Sequence, residues 1–400
     1  MQQRTKWLSI TTLGLAAVLA SGSAAMADPI NPDTGAPTLN RALNGSGSDT
    51  TQDLNNGLSA VVERNGQLIL GSWDATVPAG DDNFIQTHTG GTSIPRPNGS
   101  GQGVSALKAT VTGSVLSNAR GTSNAPLSRS DLQFARSSSG VPASTSGAYS
   151  YVPLAVDAVT YAFGPASSLP EQLELSELTA IYRAAEGASV VIDGTPYVVG
   201  SGASAAIHPY LPQSGSGTRA FFLAQLGLTE TTKGSAVKDV FSGGSVQEHD
   251  GSVLAADPKG LVPFSVAQWI AQGNADDLTS SYGVEVLDRR KGAELGTVGA
   301  QAPVVDGVLN TAFQITRPVF TVVENAAIGT NTDLAFAFVD NPATAATEGA
   351  VYTAESPSGE SWVIEDFGFG SLINRDSEVN GVTIAGETYR AGDAVNFRTN

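Results

Sequence analysis

Apolar positions recur along the chain with two different periods. Over residues 53–63, Leu54, Leu58, Val61 and Val62 return at the spacing of one helix face, and Asn65-Gly66 ends the run. Val104, Leu107 and Val111 repeat the pattern. Phe222, Leu223 and Leu226 do so over 218–226 and are closed by Gly227, while Ser176-Glu177 opens a fourth helix through Ile181 and Tyr182. Between these lie runs rich in β-branched and aromatic residues at 68–70, 151–163, 190–192, 197–199 and 319–323, which predict strands. Asp193-Gly194 between two of them predicts a hairpin turn. Helices alternating with strands predict an α/β fold with largely parallel sheets. No internal repeat of fixed period is present.

The N-terminus departs from this pattern. Arg4 and Lys6 precede an apolar run over 8–20, and Ala25-Met26-Ala27 is a small-x-small site, so residues 1–27 predict a secretory signal peptide cleaved before Asp28. The run is too short for a membrane span. Residues 28–39 form a Pro-rich, polar leader. The expected product is secreted and extracytoplasmic, and with no Cys in the chain it carries neither a cysteine-linked lipid anchor nor a disulfide. Retention then needs an outer membrane or wall, or the protein acts as a released scavenger. Stability must come from a core, for which the 373 residues after the signal peptide are ample.

The formal charge is −17, and −19 once Arg4 and Lys6 leave with the signal peptide. Such a surface repels nucleic acid and anionic lipid, excluding both as expected partners. It also repels anionic solutes at long range, so an anion site here needs strong local groups.

Three stretches share one design. Residues 45–50 (with Ser48, Asp49 and Thr50), residues 98–103 (with Ser100) and residues 214–218 (with Ser216, Gly217 and Thr218) each place Gly and hydroxyl residues before a helix. Glycine permits close backbone approach, and the free N–H groups and dipole of a helix start favour negative charge. Each is a candidate oxyanion cradle. Each also suits an ordinary N-cap, but in α/β folds ligands gather at such strand-to-helix turns. The chain has no Walker A motif, no nucleophile elbow and no metal-type His spacing. His88, His208 and His249 lie far apart, Glu248-His249-Asp250-Gly251 reads as a turn, and Ser137-Ser138-Ser139 has no base placed beside it. No enzyme activity and no cofactor is expected.

These turns, in this order, resemble the phosphate-binding proteins of bacterial ABC importers, and the likeness extends over most of the mature chain. Residues 45–50 resemble that family's opening glycine-rich loop, and residues 98–104 its second loop, with Ser100 at the ligand-contacting serine. Residues 134–138 resemble its strand ending in a Ser-Asp turn, and 151–163 the strand that crosses to the second lobe. Residues 175–183 resemble the helix that follows, and Ser216-Gly217-Thr218 the third phosphate contact. Residues 261–272 and 315–323 resemble the segments at the return crossover.

The resemblance implies a two-lobed, periplasmic-binding-protein-like fold of type II, with lobe 1 formed by 40–152 and 317–400 and lobe 2 by 153–316. It implies a monomer that binds inorganic phosphate in the cleft and serves ABC transporter membrane subunits. Two positions depart from the family. Ser138 stands where the family has its phosphate-accepting Asp, and Pro212 where it has its ligand Arg. Asp49 and Arg136 offer a relocated acid and base, with Arg219 the alternative base and Asp157 or Asp250 the alternative acids. Asp49 as a plain cap, and Arg136 in a surface ion pair, remain the other assignment. The competing functions are a receptor for another oxyanion or small organic solute, a secreted phosphatase or hydrolase, and a non-transport surface protein.

Overall fold

The computed structural model describes residues 28–29, 38–78, 81–339 and 349–400. The expected signal peptide, residues 1–27, and most of the Pro-rich leader lie outside the described residues. Among the described residues the central sheet has nine strands. Seven of them run in the order β5-β6-β4-β7-β3-β1-β2, where β1 is Leu43–Gly47, β2 Leu70–Trp73, β3 Phe134–Ser137, β4 Tyr149–Phe163, β5 His208–Pro209, β6 Gly260–Ser265 and β7 Thr316–Glu324. Glu294–Leu295 and Arg398–Thr399 add to β4.

Every residue of β4 is buried, which is why its sequence reads as a near-continuous apolar run. The strand changes partner midway. Its first part, from Tyr149 to Ala158, pairs with β7, and from Val159 to Phe163 it pairs with β6. β4 therefore leads the chain out of one half of the sheet into the other, and β7 brings it back.

This traffic corrects the expectation of a largely parallel sheet. β1 is parallel to β2 and to β3, and β5 to β6. The crossing strands are antiparallel to each other, and β7 to β3 and β4 to β6 are antiparallel too. An outbound and a returning strand laid side by side have opposite directions, a feature that local periodicity does not record.

The helices follow the apolar spacing closely. The four predicted ones are α1 (Gln52–Val61), α2 (Ser100–Thr112), α3 (Leu175–Arg183) and α4 (Gly217–Gln225); among the further helices, α5 is Val266–Gly273. α3 starts with a capping box between Glu174 and Glu177. The predicted hairpin joins Ala188–Ile192 to Thr195–Val199, with Asp193 and Gly194 both at positive φ as its turn requires.

Residues 45–47 differ from the predicted turn. They lie within β1, and the turn begins only at Ser48. Gly45 is needed because a Cβ there would occupy the Phe134 ring, and Gly47 lets α2 approach the sheet through Gly103. These glycines serve packing, not close approach to a ligand.

In the middle of the two crossing strands stands one opposed charge pair. Asp157 of β4 and Arg317 of β7 are direct register partners and both are buried. Removing one member of such a pair leaves an unbalanced charge in a low-dielectric interior. Arg317→Ala is expected to lower the unfolding free energy in urea by about 3–5 kcal/mol, with Arg317→Met/Asp157→Leu recovering most of the loss. A single mutant as stable as the parent would contradict this role.

Candidate ligand site

The three hydroxyl-bearing turns come together. β1 ends at Gly47, and the Ser48 N–H donates to the Arg136 carbonyl at 3.1 Å, pinning the turn before α1 against the end of β3. The Gly99 N–H donates to the Gly47 carbonyl at 3.1 Å, which sets the start of α2 beside it. The start of α4 arrives from the other half of the sheet.

At the meeting point Ser138 is a hub. Its Oγ accepts from Ser48 Oγ at 3.0 Å and shares a hydrogen with Ser100 Oγ at 3.2 Å, while its N–H donates to Ser100 Oγ at 3.0 Å. Gly217 stands against this cluster so closely that a Cβ would collide with the hydroxyls of Ser138, Ser100 and Ser139. Beside it, Thr50 Oγ1 and Thr218 Oγ1 lie 3.2 Å apart. The N–H groups of Thr50 and Gly217 have no protein acceptor among the described residues.

The cation at this point is Arg317, which the sequence reading did not single out. Its Nε and Nη2 donate to Asp157 Oδ2 at 2.9 and 2.8 Å, and Nη2 also donates to Thr218 Oγ1 at 2.9 Å. Nη1 donates to the Ser138 carbonyl at 3.2 Å, and the guanidinium lies over the Phe221 ring. Asp157 Oδ1 is held in turn by Ser265 Oγ at 2.8 Å and the Ala267 N–H at 3.2 Å. Such forked, charge-assisted bonds fix the guanidinium plane.

The expected relocated pair is placed elsewhere. Arg136 donates from Nε to the Ser48 carbonyl at 3.1 Å and from Nη1 to Ser72 Oγ at 2.7 Å, with no side-chain bond to the hydroxyl cluster. Burial pulls it down to about 10, opposed by Asp74 and Asp49. Asp49 turns both carboxylate oxygens to Arg289, at 3.0 and 3.3 Å. Arg219, the alternative base, is bound by Glu230 and Asp239 at the far side of α4. Ser216 caps α4 by accepting the Arg219 N–H at 3.0 Å. Each of these charges has found an opposite charge or carbonyl supplied by tertiary contact. Asp157, one of the two reserve acids, lies at the site as the partner of Arg317.

Glu248 and His249 belong to the predicted turn Glu248-His249-Asp250-Gly251. His249 does have φ at 54°, yet both side chains are buried and face the cluster. The Ser265 N–H donates to His249 Nδ1 at 3.2 Å, which assigns the ring proton to Nε2, 3.0 Å from Thr50 Oγ1. Burial pushes this imidazole well below its ordinary range, so it stays neutral. With its proton already on Nε2, His249 donates to Thr50 and cannot activate that hydroxyl as a nucleophile.

Glu248 Oε1 accepts the Thr218 N–H at 3.2 Å, while the buried Oε2 has no partner. Burial, then Asp49, raise its carboxyl. The arrangement is rich in neutral donors, with one balanced cation and one free acceptor. Among the described residues no group of three or more His, Asp or Glu is placed to hold a metal ion.

Asp53, in the first turn of α1, is enclosed just below this cluster, and burial raises it to about 6. Between its unfolded value and about 6 the folded state keeps a proton that the unfolded chain has lost, so this group's contribution to stability falls as pH rises through that window. Asp53→Asn is expected to gain on the order of 2–3 kcal/mol near pH 7.5 and almost nothing near pH 4. Urea melts at the two pH values check this, and an equal effect at both would contradict it.

Among solved structures, a high-affinity periplasmic phosphate-binding protein bound with phosphate aligns at 16% identity and TM-score 0.42, covering 82% of this chain and 90% of its own. A putative phosphate ABC transporter substrate-binding protein with bound phosphate from Clostridium perfringens aligns at 13% identity and TM-score 0.40, covering 70% and 85%. A phosphate-binding protein from Stenotrophomonas maltophilia aligns at 12% identity and TM-score 0.39, covering 83% and 91%. No curated protein sequence matches the chain. The family described as a PBP superfamily domain matches residues 65–341, which include both crossing strands and two of the three converging turns, and the chain belongs to that family.

Proposed function

We propose that this protein is an extracytoplasmic solute-binding protein that takes up inorganic phosphate and presents it to ABC transporter membrane subunits. The observation that carries this reading is the convergence of the Ser48, Ser100 and Ser138 hydroxyls on Gly217, Thr218 and Arg317 at one buried point. A tetrahedral oxyanion satisfies several hydroxyl and N–H donors at once.

In this reading lobe 1 comprises 40–152 and 317–400 and lobe 2 comprises 153–316, with β4 and β7 as the hinge. The contacts that span the proposed lobes support it. Besides Arg289 with Asp49, Asn98 Nδ2 donates to Gln247 Oε1 at 3.3 Å, and Gln268 Nε2 to the Thr50 carbonyl at 2.9 Å. A ligand gripped from both sides makes such a closure favourable. No helix among the described residues is long and apolar enough to cross a membrane, which suits an exported binding protein.

Calorimetry of phosphate-stripped protein tests the reading. One phosphate is expected per chain, with a rise in melting temperature corresponding to about 2.7 kcal/mol at a hundredfold excess over the dissociation constant. Gly217→Ala should abolish the binding heat, because its Cβ meets the donor hydroxyls. Absence of heat and of a melting shift at millimolar phosphate would overturn the proposal.

Selectivity is expected to rest on Glu248. Its unpartnered Oε2 can accept a proton carried by phosphate, whereas sulfate carries none and would leave the carboxylate unpaired. Glu248→Gln should narrow the phosphate-to-sulfate ratio, since the amide donates to either anion. Asp49→Asn should leave the ratio unchanged, its oxygens being taken by Arg289. The opposite pattern in titrations of both variants would return the acceptor role to Asp49.

A further inference from the structure

Asp28 is the residue at which cleavage of the signal peptide is expected to leave a new N-terminus, and it is buried. Its carboxylate lies against Arg96, itself fully enclosed, with Nη1 to Oδ1 at 2.7 Å and Nη2 to Oδ2 at 2.8 Å. Asp28 Oδ1 also accepts the Asp74 N–H at 2.9 Å, and the next carbonyl, of Pro29, accepts the Thr38 N–H at 2.7 Å. The start of the mature chain is thus clasped into the fold.

Asp74 is the unusual member of this group. It is completely buried; Oδ1 accepts from Asn56 Nδ2 of α1 at 2.9 Å, and Oδ2 has no partner. Arg96 is shared further with Asp81, so two carboxylates draw on one guanidinium, whose Nη1 also donates to the Asp74 backbone carbonyl at 3.2 Å. Arg136 acts on Asp74 only through space, its side-chain bonds going to Ser48 and Ser72. Burial, and then the charge of Asp28, push the Asp74 carboxyl well above its ordinary range. A buried carboxylate oxygen left unpaired carries a large desolvation cost, and a cation donor beside it removes that cost.

We propose that hydrolysis of the peptide bond before Asp28 is a structural modification of this fold, in which the α-ammonium it creates pairs with Asp74 and completes the buried network of Asp28, Arg96, Asp74 and Asp81. Water adds across the bond: the signal peptide leaves with a carboxylate, and the amine left on Asp28 takes a proton at neutral pH. That ammonium brings three donors and a positive charge, on the same Cα whose side chain already receives the Asp74 N–H. Through Asn56 the pairing bears on α1, whose first turn shapes the ligand site. The inference depends on removal of residues 1–27 and not on the identity of the ligand.

The test compares two proteins released from fusions by site-specific proteolysis, one beginning at Asp28 and one retaining Met26-Ala27 before it. The form beginning at Asp28 should melt a few degrees higher, and Asp74→Asn should erase the difference. Equal melting of the two forms, or a difference that persists in Asp74→Asn, overturns the proposal. A second measurement does not need the mutant to fold. In the native form beginning at Asp28, the N-terminal amine should resist an acylating reagent at neutral pH, read by mass spectrometry of the N-terminal peptide, while the longer form should label readily. Equal labelling of the two also overturns it.

Discussion

The ion pair between Arg317 and Asp157 is the constraint from which the centre of this molecule is organised. It joins the two strands that carry the chain between the halves of the sheet, at directly paired register positions and in a fully buried setting. An isolated charge there would be untenable, so the two strands must stay in register for either residue to be tolerated. The remaining donors of the guanidinium then reach the Ser138 carbonyl and the Thr218 hydroxyl, tying the end of β3 and the start of α4 to the same point. Sheet register, the end of β3, the start of α4 and the geometry of the hydroxyl cluster share one anchor.

That anchor also explains how a strongly acidic protein can build a site suited to an anion. Arg317 is already balanced by Asp157, so net positive charge is not the main attraction. The donors are instead neutral: hydroxyls of Ser48, Thr50, Ser100, Ser138 and Thr218, and the N–H groups of Thr50 and Gly217. Neutral, oriented dipoles need no counter-charge when buried, and they lose nothing to the long-range repulsion of the acidic surface. The two family positions altered in this chain fit the same scheme. With Ser at 138 and Pro at 212, the ion pair beside the cluster comes from β4 and β7, the unpartnered carboxylate oxygen from Glu248, and Ser138 ties the cluster through its N–H, hydroxyl and carbonyl.

The neighbourhood of α1 shows the cost of that scheme. Asp53 and Asp74 are buried with carboxyls displaced upward, and Asp49 is held by an arginine from far along the chain. The helix that forms one wall of the site therefore rests on carboxyls whose charge state is set by their surroundings. Its stability is coupled to proton uptake and to the cations that reach it.

Much of this was legible in the chain itself. The spacing of Leu54 and Leu58 determines α1, the run from Tyr151 to Phe163 determines all but the first two residues of the crossing strand, and Asp193-Gly194 determines the hairpin at its turn, because each depends on side-chain periodicity or backbone preference within a few residues. The grouping of Ser48, Ser100, Gly217 and Thr218 was legible as well, since strand-to-helix turns of an α/β sheet collect at the same edge, while Ser138 was marked only by the family resemblance. What only tertiary structure decided was the partner of each charge. Asp49 chose an arginine 240 residues away, Arg317 an aspartate 160 residues away, and Glu248 and His249 became part of the site while looking like a turn. Local pattern carries no record of such choices, because electrostatic pairing in a buried interior is settled by distance in space and by which charges burial leaves without water.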